Sequence, residues 1–456
     1  MDFGFALSCV VWGLVVLSVL VFAHEAGHFG AARACGVRVT ELFLGMPSRF
    51  SASREIKSCG TKLGVTPVLL GGYTRICGMA SEESPLMARA LACVQSRGVV
   101  AADDLALEIG CDSEEAYAIL AELVDWGSIE AVYDSELGER EGQQDWPRCF
   151  GTIARDAELR TKFDRSHRFE ADGFTAAGVA SPGDDAEACL NDERSRTYQG
   201  KGFLPRLAML LGGPVASFVV GALLVVVSLS FLGQNCAVNS NVLGGVSEGS
   251  LAEEAGLRAG DEVTSLAGND VDDFNSLGIA IQGALKENEP FDLVFVRDGV
   301  SHEVTVTPDG EQALGVSARI ETVRLPVTQA ISFVGEYCSQ TLQLVARLFN
   351  PSSAARAVGE TSSVVGISVM AGQAARSGPA SLVFLAAVVS LSLAIMNMLP
   401  IPPLDGGKIL IEVVQVVLRR PLSMRAQNAI SMVGVALFLL LFVVVVRQDI
   451  VRLFVG

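Results

Sequence analysis

Histidine is scarce in this chain, with four among 456 residues, and charge is absent from residues 3–23. Ten cysteines are present but no two stand as CxxC, which excludes a ribbon-type zinc site and a dithiol redox motif. The basic residues that open a secretory signal peptide are also missing from the amino terminus. Against that scarcity, two of the four histidines fall within five residues, in Val21-Phe-Ala-His24-Glu25-Ala-Gly-His28, at the end of the uncharged run.

Helix positions i and i+4 share a face, so His24 and His28 offer two imidazoles to one metal ion while Glu25 stands beside them as base for a water. HExxH alone is short and recurs by chance in unrelated helices. Its setting is what gives it weight. An ionisable group at membrane depth costs roughly 2.5–3.5 kcal/mol on insertion scales, so three within five residues demand a polar cavity or a bound ion.

Half of the residues are hydrophobic, too many for a purely soluble protein of this length. The excess lies in the first run and in residues 207–233, 380–399 and 430–446, each close to the length that crosses a ~30 Å hydrocarbon core. This predicts a multi-pass protein with about four transmembrane helices. Lysine and arginine follow the first span, precede the second and lie between the third and fourth. By the positive-inside rule those loops are cytosolic, which puts residues 234–378 outside and His24 near the inner face of the cytoplasmic membrane.

A third metal ligand is therefore sought at the inner end of another span. Asn397-Met-Leu-Pro400-Ile-Pro402-Pro403-Leu-Asp405-Gly406-Gly407 stands there. Three prolines in four positions stop the third helix and leave extended backbone, which at this depth has to line a cavity. Pro and Asp-Gly also make ordinary turns. A lone carboxylate would be costly at that depth, whereas beside two imidazoles Asp405 completes a three-ligand zinc site with the fourth position open to water. Asn397 either satisfies carbonyls of the broken helix or hydrogen-bonds a substrate backbone or developing oxyanion.

Together these motifs resemble the site-2 protease family of intramembrane zinc metalloproteases, in particular its RseP-like branch with a PDZ domain. HEAGH at 24–28 is similar to the family's HExxH, and residues 397–406 to its NxxPxPxLDG. Phe43-Leu-Gly45-Met-Pro47, Gly71-Gly72-Tyr73 and Gly213-Pro214-Val-Ala-Ser217-Phe218 resemble further family segments. Ser217 stands where the family usually carries Asn, and the Gly-Pro motif often seen before the third span is not evident around residues 360–367.

The resemblance implies a polytopic α-helical membrane protein with a membrane-associated β-hairpin, an extracytoplasmic PDZ domain and, in this chain, a winged-helix-like cytosolic insert. Residues 1–80 would hold the first span and the hairpin, and 205–233 the second span. A PDZ domain at 234–312, an amphipathic connector at 313–378 and the last two spans at 379–456 complete the order. From its own residues, the 64–78 segment reads as strands among glycines with Pro67 suggesting an open edge, to which an unwound substrate could add as a strand. The PDZ region would capture a peptide tail or act as a size filter. Residues 327–350 have helical apolar spacing, suited to the outer membrane surface or to bracing the bundle.

The insert at 81–204 is the unusual part. Residues 99–129 read as helix, Gly turn, helix and strand, as in a winged helix-turn-helix. The helix that would read DNA carries Asp112, Glu114, Glu115, Glu122 and Asp125 and no basic residue, and residues 81–200 hold 26 Asp/Glu against 11 Lys/Arg. Phosphates would repel such a surface. A cytosolic protein partner is expected rather than nucleic acid. Residues 139–199 have weak periodicity and read as a loosely ordered linker.

The function expected is an intramembrane endopeptidase using Zn2+, with His24, His28 and Asp405 as ligands, Glu25 as base and Asn397 near the reacting carbonyl. By resemblance, its substrates are single-span proteins of the lipid bilayer, such as anti-sigma factors, in regulated intramembrane proteolysis. The rival is an inactive membrane scaffold that binds peptides through the PDZ and winged-helix-like parts.

Overall fold

The structure, a computed structural model, describes residues 3–455 apart from 49, 70, 80–82, 141–146, 166, 170–172, 182, 184, 309–312, 349, 351, 360 and 421. It divides into two compact units, Met1–Val225 with Ile331–Gly456, and Val226–Ala330. The first begins with α1 (Phe3–Ala34). At 1.5 Å per residue this helix is about 48 Å long, so its last turns extend past a ~30 Å hydrocarbon core.

Four strands follow: β1 (Val39–Leu44), β2 (Ala52–Glu55), β3 (Lys62–Val65) and β4 (Gly72–Ile76). Their order is β2-β3-β1-β4, with β1 parallel to β3 and antiparallel to β4. The hairpin expected over residues 64–78 is therefore not formed, because β3 and β4 do not pair with each other but flank β1. The reason is burial: β1 carries Val39, Leu42 and Phe43 into the interior, and a two-stranded ribbon alone is marginal in stability. Phe43 stacks on Tyr73 of β4 with ring centroids 5.3 Å apart. Leu70, in the connection to β4, lies outside the described residues.

The insert runs α2 (Met87–Arg97), β5 (Val99–Ala101), α3 (Ala102–Ile109), α4 (Ser113–Asp125), β6 (Ile129–Val132), β7 (Cys149–Thr152) and α5 (Ala186–Ser195), with sheet order β5-β7-β6. Leu91, Val94, Leu105, Leu120, Leu123, Trp126 and Phe150 form one apolar core.

Residues 139–199 depart from the linker reading. They supply β7 and α5, and a buried ion cluster replaces apolar periodicity as the organising element. Arg38, 1% exposed, donates to both Asp164 carboxylate oxygens at 2.8 and 2.7 Å and to Glu193 Oε2 at 2.5 Å. Arg155 donates to Glu193 Oε1 at 2.6 Å, and Arg196 to Asp164 at 3.0 Å. These guanidinium contacts hold the carboxyls of Asp164 and Glu193 down at about 2 despite burial, which pushes both the other way. Arg38 precedes β1, so the insert is fixed to the base of α1. A hydropathy pattern carries no trace of such pairing.

The second span, α6 (Phe203–Val226), contains Pro214 and continues as a wider turn to Leu232. Within the second unit, β8 (Gln234–Ala237), β9 (Leu243–Val246), α7 (Leu251–Glu254), β10 (Glu262–Leu266), β11 (Asn269–Asp270), α8 (Phe274–Glu287), β12 (Phe291–Arg297), β13 (Val300–Val306), β14 (Val316–Ala318) and β15 (Ile320–Val323) follow in turn. The main sheet has the order β11-β10-β12-β13, while β9 pairs with β14 and β8 with β15. Asp273 and Ser276 cap α8 reciprocally, and Leu243, Leu266, Leu277 and Leu293 fill the core.

The chain then forms α9 (Val327–Leu348), α10 (Ala354–Gly359), α11 (Val364–Ser377), α12 (Pro379–Asn397), α13 (Asp405–Leu418) and α14 (Met424–Val455). α9 braces the third span: Tyr337 Oη lies 2.8 Å from Ser392 Oγ, and Phe333 sits against Phe384. α11, which hydropathy does not single out, packs on α1 where Gly13 faces Ser368 and Gly372 faces Cys9. Four helices are long and apolar enough to cross a membrane, Phe3–Ala34, Phe203–Leu232, Pro379–Asn397 and Arg425–Val451, in agreement with the four expected spans. All ten cysteines are free thiols.

Candidate metal centre

Three segments meet at one point inside the first unit. α1 brings His24 and His28, the turn after α12 brings Asp405 at the first position of α13, and α6 passes alongside. His24 Nε2 lies 3.1 Å and His28 Nε2 3.2 Å from the same Asp405 oxygen, Oδ2, and the two nitrogens are 3.3 Å apart. All three residues are buried. Among the described residues this is the single group of three or more His, Cys, Asp or Glu with ligand atoms close enough to share an ion.

The hydrogen bonds around the group decide what it can do. His28 Nδ1 lies 2.8 Å from the Met209 carbonyl oxygen. A carbonyl can only accept, so Nδ1 carries the proton, and in the neutral ring Nε2 is then the lone-pair atom turned toward the carboxylate. In that form nitrogen and oxygen lone pairs converge on one point, where a cation would hold them together. Tetrahedral zinc with ligand bonds of about 2.0–2.1 Å spaces its ligands ~3.3 Å apart, and the observed triangle has that edge. The donor set fits zinc.

Close packing of glycine keeps the space open. A Cβ on Gly213 would lie 2.3 Å from His28 Nε2 and 2.6 Å from His24 Nε2, inside the gap the donors surround. One turn away, α1 and α6 touch backbone to backbone: a Cβ on Gly27 would meet the Gly212 carbonyl oxygen at 2.2 Å, and one on Gly212 the Gly27 oxygen at 2.5 Å. This contact brings α6 near enough for Met209 and Ser217 to reach the imidazoles. Ser217 Oγ sits 3.0 Å from His24 Nδ1, and its own carbonyl accepts from Ser390 Oγ at 2.8 Å. At the position where the family usually carries Asn, Ser217 thus hydrogen-bonds one of the two imidazoles. Met209 was beyond sequence reasoning, because a backbone carbonyl has no residue signature. Gly213 was visible in the Gly-Pro motif, but its purpose was not.

Glu25 follows His24 on α1, partly exposed, and its carboxylate has no hydrogen-bond partner among the described residues. Its turn lies against the edge strand β4, where Thr74 Oγ1 donates to the Glu25 carbonyl at 3.0 Å and a Cβ on Gly72 would be 3.3 Å from Glu25 Cγ. Asn397 ends α12 partly exposed, and no hydrogen bond joins it to His24, His28 or Asp405. The other two histidines stand elsewhere, His167 beside Phe169 and His302 against Phe295.

Four apolar spans and a buried His-His-Asp triangle define a membrane-embedded zinc peptidase. Comparison with known proteins agrees. The chain belongs to Peptidase family M50, the site-2 protease family, whose profile matches residues 12–441. It is 26% identical to zinc metalloprotease RasP of Geobacillus kaustophilus over 98% of this chain and 99% of that protein. It is 25% identical to zinc metalloprotease RasP of Bacillus licheniformis, over 98% and 100%, and 24% identical to regulator of sigma-W protease RasP of Bacillus subtilis, over 98% and 99%. The chain is a multi-pass membrane protein and a zinc metalloprotease of site-2 type.

Proposed function

We propose that His24, His28 and Asp405 hold the zinc, that Glu25 takes the proton of the attacking water, and that the substrates are transmembrane segments of single-span membrane proteins. The observation that carries this reading is the triangle of donor atoms, drawn from segments some 380 residues apart in sequence, with lone pairs converging on one point. Zinc held there by His24, His28 and Asp405 would lower the pKa of a water toward ~7 and polarise the scissile carbonyl. Glu25 is adjacent, with a carboxylate that nothing else engages. Asn397, at the end of the third span, is assigned to the substrate backbone or the oxyanion. The edge of β4 lies beside Glu25, and an extended substrate added along it would keep its backbone paired once unwound.

The Bacillus subtilis relative is by name a regulator of sigma-W, which favours anti-sigma factors as substrates in regulated intramembrane proteolysis at the cytoplasmic membrane. We assign the Val226–Ala330 unit to a PDZ-type module that controls access from outside, and residues 87–152 to a winged-helix-like module on the cytosolic side. Four of the acidic groups of α4 and its cap are engaged within the chain: Asp112 caps the helix, Glu115 accepts from Ser84 Oγ at 3.3 Å, Glu122 from Trp126 Nε1 at 2.7 Å and Asp125 from Gly78 N at 3.0 Å. Glu114 and Glu115 remain exposed, a surface suited to a protein partner and not to nucleic acid.

The test is Glu25→Gln in purified enzyme reconstituted with a single-span reporter. Zinc content should stay at the wild-type level while cleavage falls by roughly 10²–10⁴-fold, the usual worth of a general base. Wild-type-like cleavage by this variant would refute the assignment.

A further inference from the structure

Beneath the last turn of α1 lies a cavity of about 200 Å³ that the metal centre does not use. Five arginines line it, Arg33, Arg38, Arg160, Arg165 and Arg196, against one carboxylate, Asp164. The concentration is unexpected beside an insert with 26 acidic and 11 basic residues. Three of the five are satisfied internally. Arg38 and Arg196 both converge on Asp164, and Arg160 is paired with Asp156 and Glu158. Arg33 and Arg165 have no carboxylate partner among the described residues.

Arg33 is only 8% exposed, and its one hydrogen bond goes to the Phe163 carbonyl. A buried guanidinium with a single neutral acceptor is costly unless an anion neutralises it, and the exposed guanidinium of Arg165 lines the same cavity. Gly36, at φ +71, presents backbone without a side chain at the same cavity, and Lys201 Nζ would lie 3.7 Å from a Cβ placed there. A sixth cation thus stands near Gly36.

We propose that this cavity is a phosphate-binding site, in which the forks of Arg33 and Arg165 take the oxygens of a phosphate mono- or diester. The volume is below the roughly 300–1,000 Å³ of clefts for drug-sized ligands, and suits a phosphate or glycerophosphate group. Two sources share that chemistry. A phospholipid headgroup would enter from the inner leaflet beside the end of α1, and a soluble phosphate from the cytosol.

The full-length protein in neutral detergent separates them. Inorganic phosphate is titrated calorimetrically in one arm, and in the other the protein is recovered from phosphatidylglycerol or phosphatidylcholine nanodiscs and its retained lipid weighed by native mass spectrometry. Arg165 is exposed, so Arg165→Glu leaves the fold intact, as unchanged zinc content would verify. Saturable phosphate binding that Arg165→Glu weakens about tenfold or more, and Arg165→Lys largely restores, supports a soluble ligand. Retention of phosphatidylglycerol over phosphatidylcholine by wild type and not by Arg165→Glu supports the lipid. If neither probe distinguishes wild type from Arg165→Glu, the proposal is overturned. The readout is binding and not cleavage, so its failure leaves the assignment of the zinc ligands untouched, and the converse holds.

Discussion

Two buried polar clusters hang from the first helix of this protein, and they are built on opposite principles. In the one around Arg38, donors meet acceptors: three guanidiniums share two carboxylates, and neutral donors, Ser128 Oγ on Glu193 and Thr161 N on Asp164, complete the set. In the one around His28, three atoms that can ligate a metal converge, with both imidazole Nε2 atoms within 3.2 Å of one carboxylate oxygen. The first is complete as it stands and locks the insert to the helix. The second offers three converging ligand atoms to a cation. Burial alone therefore does not mark a functional group, whereas metal-ligating atoms from distant segments converging on one point do.

Substitutions in the two clusters should accordingly fail in different ways. The largest effect is expected for His24→Ala, which takes one of the three proposed ligands: zinc and cleavage should both be lost, by more than the roughly 10–100-fold that outer partners are worth, as read by metal analysis and reporter cleavage. Arg38→Met should leave Asp164 and Glu193 buried without their main partner and cost about 3–5 kcal/mol in thermal unfolding, with zinc stoichiometry unchanged in the folded fraction. Equal zinc loss in both variants would erase the distinction drawn here. Ser217→Ala should sharpen it at smaller scale, weakening zinc affinity roughly 10–100-fold in a metal-competition assay without changing the melting of the insert.

Acid should separate the clusters as well. The folded-state carboxyls of Asp164 and Glu193 lie at about 2, below their ordinary values of 3.8 and 4.5. Groups depressed in this way stabilise the fold above the ordinary value, and the stabilisation is lost as pH falls through the folded one. The insert should therefore lose stability between about pH 4.5 and pH 2. Zinc should leave earlier in the same titration, since imidazole ligands have to be deprotonated to bind it. Melting curves and zinc content measured on one pH series check the order.

The metal cluster was legible in the sequence because its chemistry needs particular residue types at particular spacings: HExxH on one helix turn, and a carboxylate after a proline break. The four spans were legible because a bilayer imposes a length. The Arg38 cluster was not. Its partners lie 126 and 155 residues away, carry the same letters as any solvated charge, and give residues 139–199 the composition of a linker. The strand order β2-β3-β1-β4 was also hidden, since Gly and Pro mark where strands turn but not which strand they join.

The contact of Gly27 with Gly212 acts as a hinge pin. Two rods pressed together with no side chain between them can scissor or roll about the crossing, but they cannot be drawn closer, and parting them would pull Met209 and Ser217 off the imidazoles. Whatever motion admits a peptide to this enzyme is then an angular one, widest at the far ends of the rods and smallest beside the two imidazoles.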